Sequence, residues 1–405
     1  MPELHLLSPT GFRAAAVYAG IKTRRTPDVA LLACDVPATA AAVFTTNRVF
    51  AAPVKVGREH VAGGRLRGVV VNAGNANACT GRQGEHDARR MCALAGDVLG
   101  CPPEQVLPSS TGIIGHLLPM QKVERGITDA GRRLGNSRDH ASMFADGILT
   151  TDTRRKVAGV EFKLGRQRVR IGGVCKGAGM IGPRMSLKGP PQATMLAYLS
   201  TDAAIAPGLL RRLLQDATNT SFNAVTIDDH TSTNDTCAVL ASGLSGAAVA
   251  DPATTRTFAS ALNEVCQSLA YQIAADGEGA TKVVVVRVRG AKTHPAARAM
   301  ARAIADSPLV KCAMHGNDPN WGRIVSAAGM TDVPFDPDRA TLTLQGTPVF
   351  RNGQPLKFDA AKVSASLNAK EVTVDLHCRM GDAGVTVWTC DFSEEYVTIN
   401  ADYHT

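Results

Sequence analysis

Thr194 lies near the middle of the chain, in Gln192-Ala193-Thr194-Met195-Leu196, with the surroundings of a self-cleaving junction. Lys176-Gly177-Ala178-Gly179-Met180-Ile181-Gly182-Pro183 precedes it, and Ala197-Tyr198-Leu199-Ser200-Thr201-Asp202-Ala203 follows. If the Ala193–Thr194 bond breaks, Thr194 gains a free α-amine beside its own hydroxyl. Nucleophile and base then sit in one residue, the N-terminal-threonine form of nucleophilic catalysis. On local sequence alone, an ordinary strand residue after a proline-containing loop is the better fit. The rest of the chain has to decide.

Other segments carry chemistry that their neighbours would complete. Ser109-Ser110-Thr111-Gly112-Ile113-Ile114-Gly115 fits a turn with a local hydroxyl–backbone bond. It also fits a hydroxyl and a backbone N–H aimed at one point, an oxyanion hole. Asp276-Gly277-Glu278-Gly279 fits a helix-to-strand loop whose glycines leave a carboxylate accessible. Asn400-Ala401-Asp402-Tyr403-His404-Thr405 has the position of a frayed end. Thr231-Ser232-Thr233-Asn234-Asp235-Thr236 and Asp318-Pro319-Asn320-Trp321-Gly322-Arg323 are rich in turn formers and prove little singly. Gly177-Ala178-Gly179-Met180-Ile181-Gly182 matches G-x-G-x-x-G, with Asp202 twenty residues on. Pro183 follows at once, then Gly189, Pro190 and Pro191, so no helix opens there to hold a pyrophosphate. A dinucleotide-binding oxidoreductase is therefore a weak reading.

The elements that must position these groups are mixed. Val29–Ala33, Ala41–Phe44 and Gly68–Asn72 are short apolar runs that predict strands, the last ending in the turn-rich 73–77. Helical spacing of Ala88, Met91, Ala93, Leu94, Val98 and Leu99 predicts a helix over 85–99. Residues 158–175 predict a hairpin about Gly165-Arg166. Pro207 should open a helix with Leu209, Leu210, Leu213 and Leu214 on one face. A helix near 256–275 leads to a strand over 282–288. The tail alternates through Val372, Val374, Val385 and Val387. The class is mixed α/β.

Composition bounds the partners. A chain of 405 residues, 44% apolar and 20% charged, suits a globular protein with a large core of two or three domains. Aromatics make up only 4%, and the net charge of +8 is spread in pairs with one triplet, Arg154-Arg155-Lys156. Stacking on nucleobases is not its business, and small acidic substrates fit the charge better than nucleic acid. Ten cysteines stand singly, without C-x-x-C or H-E-x-x-H, so no metal site has spacing support. With no export signal and no 18-residue apolar run, the expectation is a cytoplasmic protein that binds no membrane.

Taken in order, the segments resemble the ornithine acetyltransferase family, the bifunctional glutamate N-acetyltransferases of arginine biosynthesis. The resemblance covers essentially the whole chain. It runs from Gly11-Phe12-Arg13-Ala14-Ala15 and Ala19-Gly20-Ile21-Lys22, through Phe44-Thr45-Thr46-Asn47, Asn72-Ala73-Gly74-Asn75-Ala76-Asn77 and Ser110-Thr111-Gly112. It continues through Thr150-Thr151-Asp152-Thr153, Lys176-Gly177-Ala178-Gly179-Met180, Ala193-Thr194-Met195-Leu196, Asp276–Lys282 and Asp318–Ile324 to the last residue.

The resemblance implies a proenzyme cut before Thr194 into residues 1–193 (alpha) and 194–405 (beta), two copies of each forming a heterotetramer. It implies an α-β-β-α layered, self-processing N-terminal-threonine fold, with Thr194 as nucleophile and Thr111 and Gly112 as oxyanion pair. Substrate contacts fall on Thr150, Lys176, Thr194, Glu278, Asn400 and Thr405; Thr151 and Thr153 share the motif of Thr150. The implied reaction moves acetyl from N-acetylornithine to glutamate, with acetyl-CoA left open as a further donor. Both partners are amino acids, so no metal or redox cofactor is required. An amidase or aminopeptidase of similar fold, with water as acceptor, is the alternative. The lysine-to-threonine spacing is longer than the family's usual one, with Ser186–Gln192 as the apparent insert.

Overall fold

The computed structural model describes residues 3–186 and 195–402. Ala193, Thr194 and Thr405 lie outside the described residues, as does most of the apparent insert. The chain forms two compact units. One takes the chain through Asn223 together with His230–Leu269; the other takes Ala224–Asp229 and the chain from Ala270 on.

The first unit is built on one large sheet. Its strands are β1 (Phe12–Val17), β2 (Val29–Phe44), β3 (Arg65–Asn75), β4 (Val106–Ile113), β5 (Lys156–Leu164), β6 (Gln167–Lys176), β7 (Leu196–Thr201) and β9 (Thr236–Ala241). Their order is β4-β3-β2-β9-β7-β6-β5, with β1 added alongside β2. A short parallel pair, β8 (Ala204–Ile205) and β10 (Ala248–Val249), stands apart. β3 with β4 and β7 with β9 are parallel; the other neighbours are antiparallel.

Helices of this unit are α1 (Ala52–Val61), α2 (Gly81–Leu99), α3 (Met120–Arg132), α4 (Arg138–Gly147), α5 (Pro207–Asn219) and α6 (Pro252–Ala274), which ends beyond Leu269. Alternation along the strands explains why the sheet is covered on both faces. Ala30, Leu32, Ala40, Leu66, Val69, Val71, Tyr198 and Leu240 face a core with Phe144 and Ile148. Ala15, Val29, Leu31 and Val70 face another with Ala88, Met91, Cys92, Val123 and Ile127 of α2 and α3.

The second unit has a six-stranded sheet in the order β14-β13-β12-β15-β11-β16. These strands are β11 (Val283–Ala291), β12 (Thr341–Leu344), β13 (Thr347–Arg351), β14 (Gln354–Pro355), β15 (Glu371–His377) and β16 (Ala383–Cys390). Its helices are α7 (His294–Asp306), α8 (Pro308–His315), α9 (Trp321–Gly329), α10 (Ala360–Leu367) and α11 (Glu394–Asp402). Val284, Val286, Val372, Val374 and Val387 bury against Met300, Ile304 and Ile324.

Three expectations are corrected. The runs 29–33 and 41–44 form one strand of 16 residues, because a register shift between Ala33 and Ala38 absorbs Pro37 without ending the ladder. Residues 109–113 are strand rather than turn: Val71, Asn72 and Ala73 pair with Ser109, Ser110 and Thr111. The C-terminal segment is helical through Asp402 rather than frayed. Gly279, at φ +68, brings its backbone so close that an added Cβ would lie 2.5 Å from the Tyr396 nitrogen of that helix. The G-x-G-x-x-G segment opens no helix, as Pro183 demands. Among the described residues no helix is long and apolar enough to cross a membrane.

Candidate active site

In the first unit the candidate site begins where β3 and β4 end. Asn72-Ala73-Gly74-Asn75-Ala76-Asn77 turns its amides inward to hold this end in shape. Asn72 donates to the Asn75 carbonyl at 2.8 Å and accepts from the Ser110 hydroxyl at 2.6 Å. The Asn77 N–H donates to Asn75 Oδ1 at 2.8 Å, and Asn75 Nδ2 donates to the His116 carbonyl at 3.1 Å. Asn234 reaches across from the loop before β9, donating to the Ala76 carbonyl at 2.6 Å and the Ser110 carbonyl at 2.9 Å. Buried amides with their partners in place fix a backbone well.

Thr111 is fully buried there, and Gly112 follows at φ +129. An added Cβ on Gly112 would lie 2.4 Å from the Gly74 carbonyl carbon. Glycine is therefore required for the two strands to close at this point. At the end of β6, the Lys176 ammonium donates to the Thr111 hydroxyl at 3.4 Å and lies 3.8 Å from Asp152 Oδ2.

Asp152 organises this corner. Its side chain is enclosed, and it pairs with the equally enclosed Lys156 at 2.7 Å. It also accepts from the Gly177 N–H at 2.6 Å and the Thr150 N–H at 3.1 Å. Burial opposes its ionisation, but Lys176, Lys156 and the Gly177 N–H outweigh that and hold the carboxyl well below the usual range. Lys22 adds a further cation, donating to the Pro27 carbonyl at 2.7 Å. Burial, with Lys176 adding to it against the pull of Asp28, brings the Lys22 ammonium down to about 8.

The described chain resumes at Met195, whose carbonyl accepts from the Thr236 N–H at 2.9 Å. Leu196 then pairs with Lys176 on one side and Thr236 on the other. Asp235 is completely buried, and neither of its oxygens has a hydrogen-bond partner among the described residues.

In the second unit Glu278 is 8% exposed and accepts from Asn400 Nδ2 at 2.9 Å. Asn400 also donates to the Tyr396 carbonyl at 3.0 Å, and the Ser393 hydroxyl donates to the Gly279 carbonyl at 2.6 Å. These bonds seat α11 on the Asp276–Gly279 loop.

Of the expected site residues, Thr111, Gly112, Lys176 and Thr150 gather at one corner of the first unit, Thr150 through its backbone. Glu278 and Asn400 gather in the second. Sequence reasoning missed Asp152, although it lies inside the quoted Thr150–Thr153 motif. It also missed Asp235, which sits in a segment with the composition of a turn.

A hydroxyl, a glycine at a strand end and an enclosed lysine–carboxylate network are the equipment of an acyl-transfer enzyme. A model of the ArgJ family matches residues 13–405, and the chain belongs to that family. It is 46% identical over 404 residues to the arginine biosynthesis bifunctional protein ArgJ of Symbiobacterium thermophilum, covering 98% of each chain. It is 41% identical over 403 residues to the protein of the same name from Bacillus cereus, covering 99% of this chain and 96% of that one. Similar solved structures include ornithine acetyltransferase complexed with ornithine from Mycobacterium tuberculosis, at 35% identity and a TM-score of 0.42. That match covers 46% of this chain and 98% of that one. The arginine biosynthesis bifunctional protein of Bacillus halodurans matches at 39% identity and a TM-score of 0.44, over 45% of this chain and 94% of that one.

Proposed function

We propose that this enzyme of the ArgJ family moves the acetyl group of N-acetylornithine to glutamate through an acetylated Thr194. The observation that carries the reading is Lys176 Nζ lying against the Thr111 hydroxyl, beside the Gly112 strand end, in a family member. We further propose that the chain cuts itself before Thr194 into residues 1–193 and 194–405, which stay together as a cytoplasmic heterotetramer of two copies of each.

In the uncut chain the Thr194 nitrogen is an amide and cannot act as a base. The Thr194 hydroxyl attacks the Ala193 carbonyl and displaces the Thr194 nitrogen, which becomes the free α-amine; water then hydrolyses the resulting ester to the Ala193 carboxylate and the restored Thr194 hydroxyl. An α-amine with a pKa of about 8 suits a general base near neutral pH. It takes the hydroxyl proton as the oxygen attacks the acetyl carbonyl, while the Thr111 hydroxyl and Gly112 N–H stabilise the oxyanion. Lys176, donating to the Thr111 oxygen, orients that hydroxyl's own proton outward. Ornithine leaves, glutamate enters, and the same steps run in reverse. Glu278 pairs with the ornithine side-chain ammonium, and Lys176 or the C-terminal residues Asn400 and Thr405 with carboxylates. Acetyl-CoA as a further donor fits the bifunctional names of the relatives. Water as acceptor would make the protein an amidase; membership of the ArgJ family favours transfer.

The test uses Thr194→Ala and Thr194→Ser. The alanine variant should neither cut nor transfer acetyl; the serine variant should keep some of each, because it retains the hydroxyl. Normal transfer by Thr194→Ala would overturn the reading. Acetate release that ignores glutamate would favour the amidase.

A further inference from the structure

The Ala19-Gly20-Ile21-Lys22 segment has no part in the reaction above. We propose that the Lys22 ammonium binds the α-carboxylate that N-acetylornithine and glutamate have in common. This inference rests on the proposed acetyl transfer and deepens it by assigning a residue to the end that both substrates share.

The backbone that carries Lys22 is held from every side. Asp28 is fully buried, and its Oδ1 accepts from the Ala19 N–H at 2.6 Å. Its Oδ2 accepts from the N–H groups of Gly20 at 3.1 Å, Ile21 at 2.6 Å and Lys22 at 3.0 Å. The carbonyls of Ala19 and Gly20 accept from Arg125 at 2.9 Å and Lys122 at 2.6 Å. The Asp28 carbonyl accepts from the Ala73 N–H at 2.8 Å, which joins this loop to the end of β3. A loop bonded in this way presents its side chain in one place. That place is the candidate site. An added Cβ on Gly74 would meet Lys22 Cγ at 3.2 Å, and one on Gly112 would meet the Gly74 carbonyl carbon at 2.4 Å. The lysine stem therefore packs on the residue that packs on the oxyanion glycine.

The charges around Lys22 leave its ammonium open to an anion. It donates to one carbonyl, that of Pro27, and has more donors than that bond uses. Among the described residues it forms no ion pair. The carboxylates that act on it from a distance are engaged elsewhere. Asp28 is taken up by backbone N–H groups, Asp152 by Lys156 at 2.7 Å and Asp146 by Arg155 at 2.6 Å. Lys176, in contrast, has Asp152 at 3.8 Å. Burial, with Lys176 adding to it, brings the Lys22 ammonium down to about 8, as expected of a cation short of a counter-ion. A bound carboxylate would supply that counter-ion through a charge-assisted bond. The α-carboxylate hangs on the same carbon as the nitrogen that gives or takes the acetyl group. It must therefore lie near the oxyanion glycine in both half-reactions, whereas the side-chain ends of the two substrates differ in charge.

The test pairs Lys22→Met with substrates whose α-carboxylate is replaced by a carboxamide. With the natural substrates the variant should lose roughly 10- to 150-fold in kcat/KM, for N-acetylornithine and glutamate alike and mostly through KM. With the α-carboxamide of either substrate, wild type and variant should differ only a few-fold, because the bond is already gone. Equal losses on carboxylate and carboxamide would overturn the proposal and give Lys22 a structural or proton-transfer role. A loss confined to glutamate, and removed by amidating its γ-carboxylate, would overturn it by placing Lys22 at the side-chain end. A second measurement needs no variant. Wild-type protein should itself lose roughly 10- to 150-fold in kcat/KM on passing from N-acetylornithine to its α-carboxamide, and an unchanged value overturns the proposal. Wild-type protein that moves no acetyl between the natural substrates contradicts the functional reading, and this inference falls with it.

Discussion

Gly112→Ala puts the oxyanion geometry to a direct trial. The added Cβ would meet three backbone atoms of β3: Gly74 C at 2.4 Å, Asn75 N at 2.6 Å and Gly74 Cα at 2.7 Å. None is the end of a flexible side chain, so the strands must part by roughly 1 Å to reach ordinary contact. Overpacking of this kind costs about 1–3 kcal/mol. Placing alanine at φ +129 adds about 1–3 kcal/mol of backbone strain. The sum, about 2–6 kcal/mol, is a large share of a typical stability of about 5–15 kcal/mol, and the chain should still fold. Catalysis should suffer more. Moving one oxyanion donor out of place costs roughly 100- to 1000-fold in kcat. The assay is acetyl transfer to glutamate by protein whose intact mass shows it has been cut. Gly115→Ala is the control: its φ is +86, but an added Cβ meets nothing within 4 Å. Gly112→Ala should lose at least about 100-fold in kcat with KM little changed, and Gly115→Ala only a few-fold. A wild-type rate for Gly112→Ala, or equal losses for both, would refute the oxyanion assignment.

Asp152→Asn leaves Lys156 and Lys176 without their carboxylate and should destabilise the protein by about 3–5 kcal/mol in denaturant titrations. Because the Asp152 carboxyl is held low in the folded state, its contribution is full above the unfolded carboxylate range. The gap between wild type and variant should therefore shrink as the pH falls below about 4, and a gap independent of pH would count against this account. Thr111→Val, which removes the hydroxyl and keeps the shape, should lower kcat by roughly 100-fold, with Thr111→Ser recovering much of it. Glu278→Gln should weaken the ornithine half-reaction by about 10- to 150-fold and the glutamate half-reaction less. Equal losses would assign Glu278 a structural role, which its bond with Asn400 would explain. Deleting residues 187–192 should leave transfer intact and speed cutting. Ser186 is retained because its N–H donates to the Phe44 carbonyl at 3.3 Å.

Local signals made several elements legible. The β5–β6 hairpin turns at Gly165, which sits at φ +60, and Pro207 opens α5 with Leu210, Leu213 and Leu214 buried. What escaped depends on partners distant in sequence. Ser109–Ile113 has the small and polar residues of a turn, yet β3 supplies a ladder that turns it into strand. Pro37 suggests a break, but the register shift lets β2 continue past it. Asp152 looks like one more acid until Lys156 and Lys176 are brought to it. Asp235 looks like a turn residue until Asn234 is tied to Ala76 and Ser110, and Thr236 to Met195. Asn400 becomes helical because Glu278 and Gly279 seat its helix, a contact across more than a hundred residues.

Mass spectrometry of the purified wild-type protein, quenched after N-acetylornithine is added without glutamate, tests the central claim most directly. The account predicts two polypeptides, residues 1–193 and 194–405, with one acetyl group on Thr194 of the second that disappears when glutamate is supplied. A single uncut chain that transfers acetyl at full rate would contradict it, because the α-amine that serves as base would not exist.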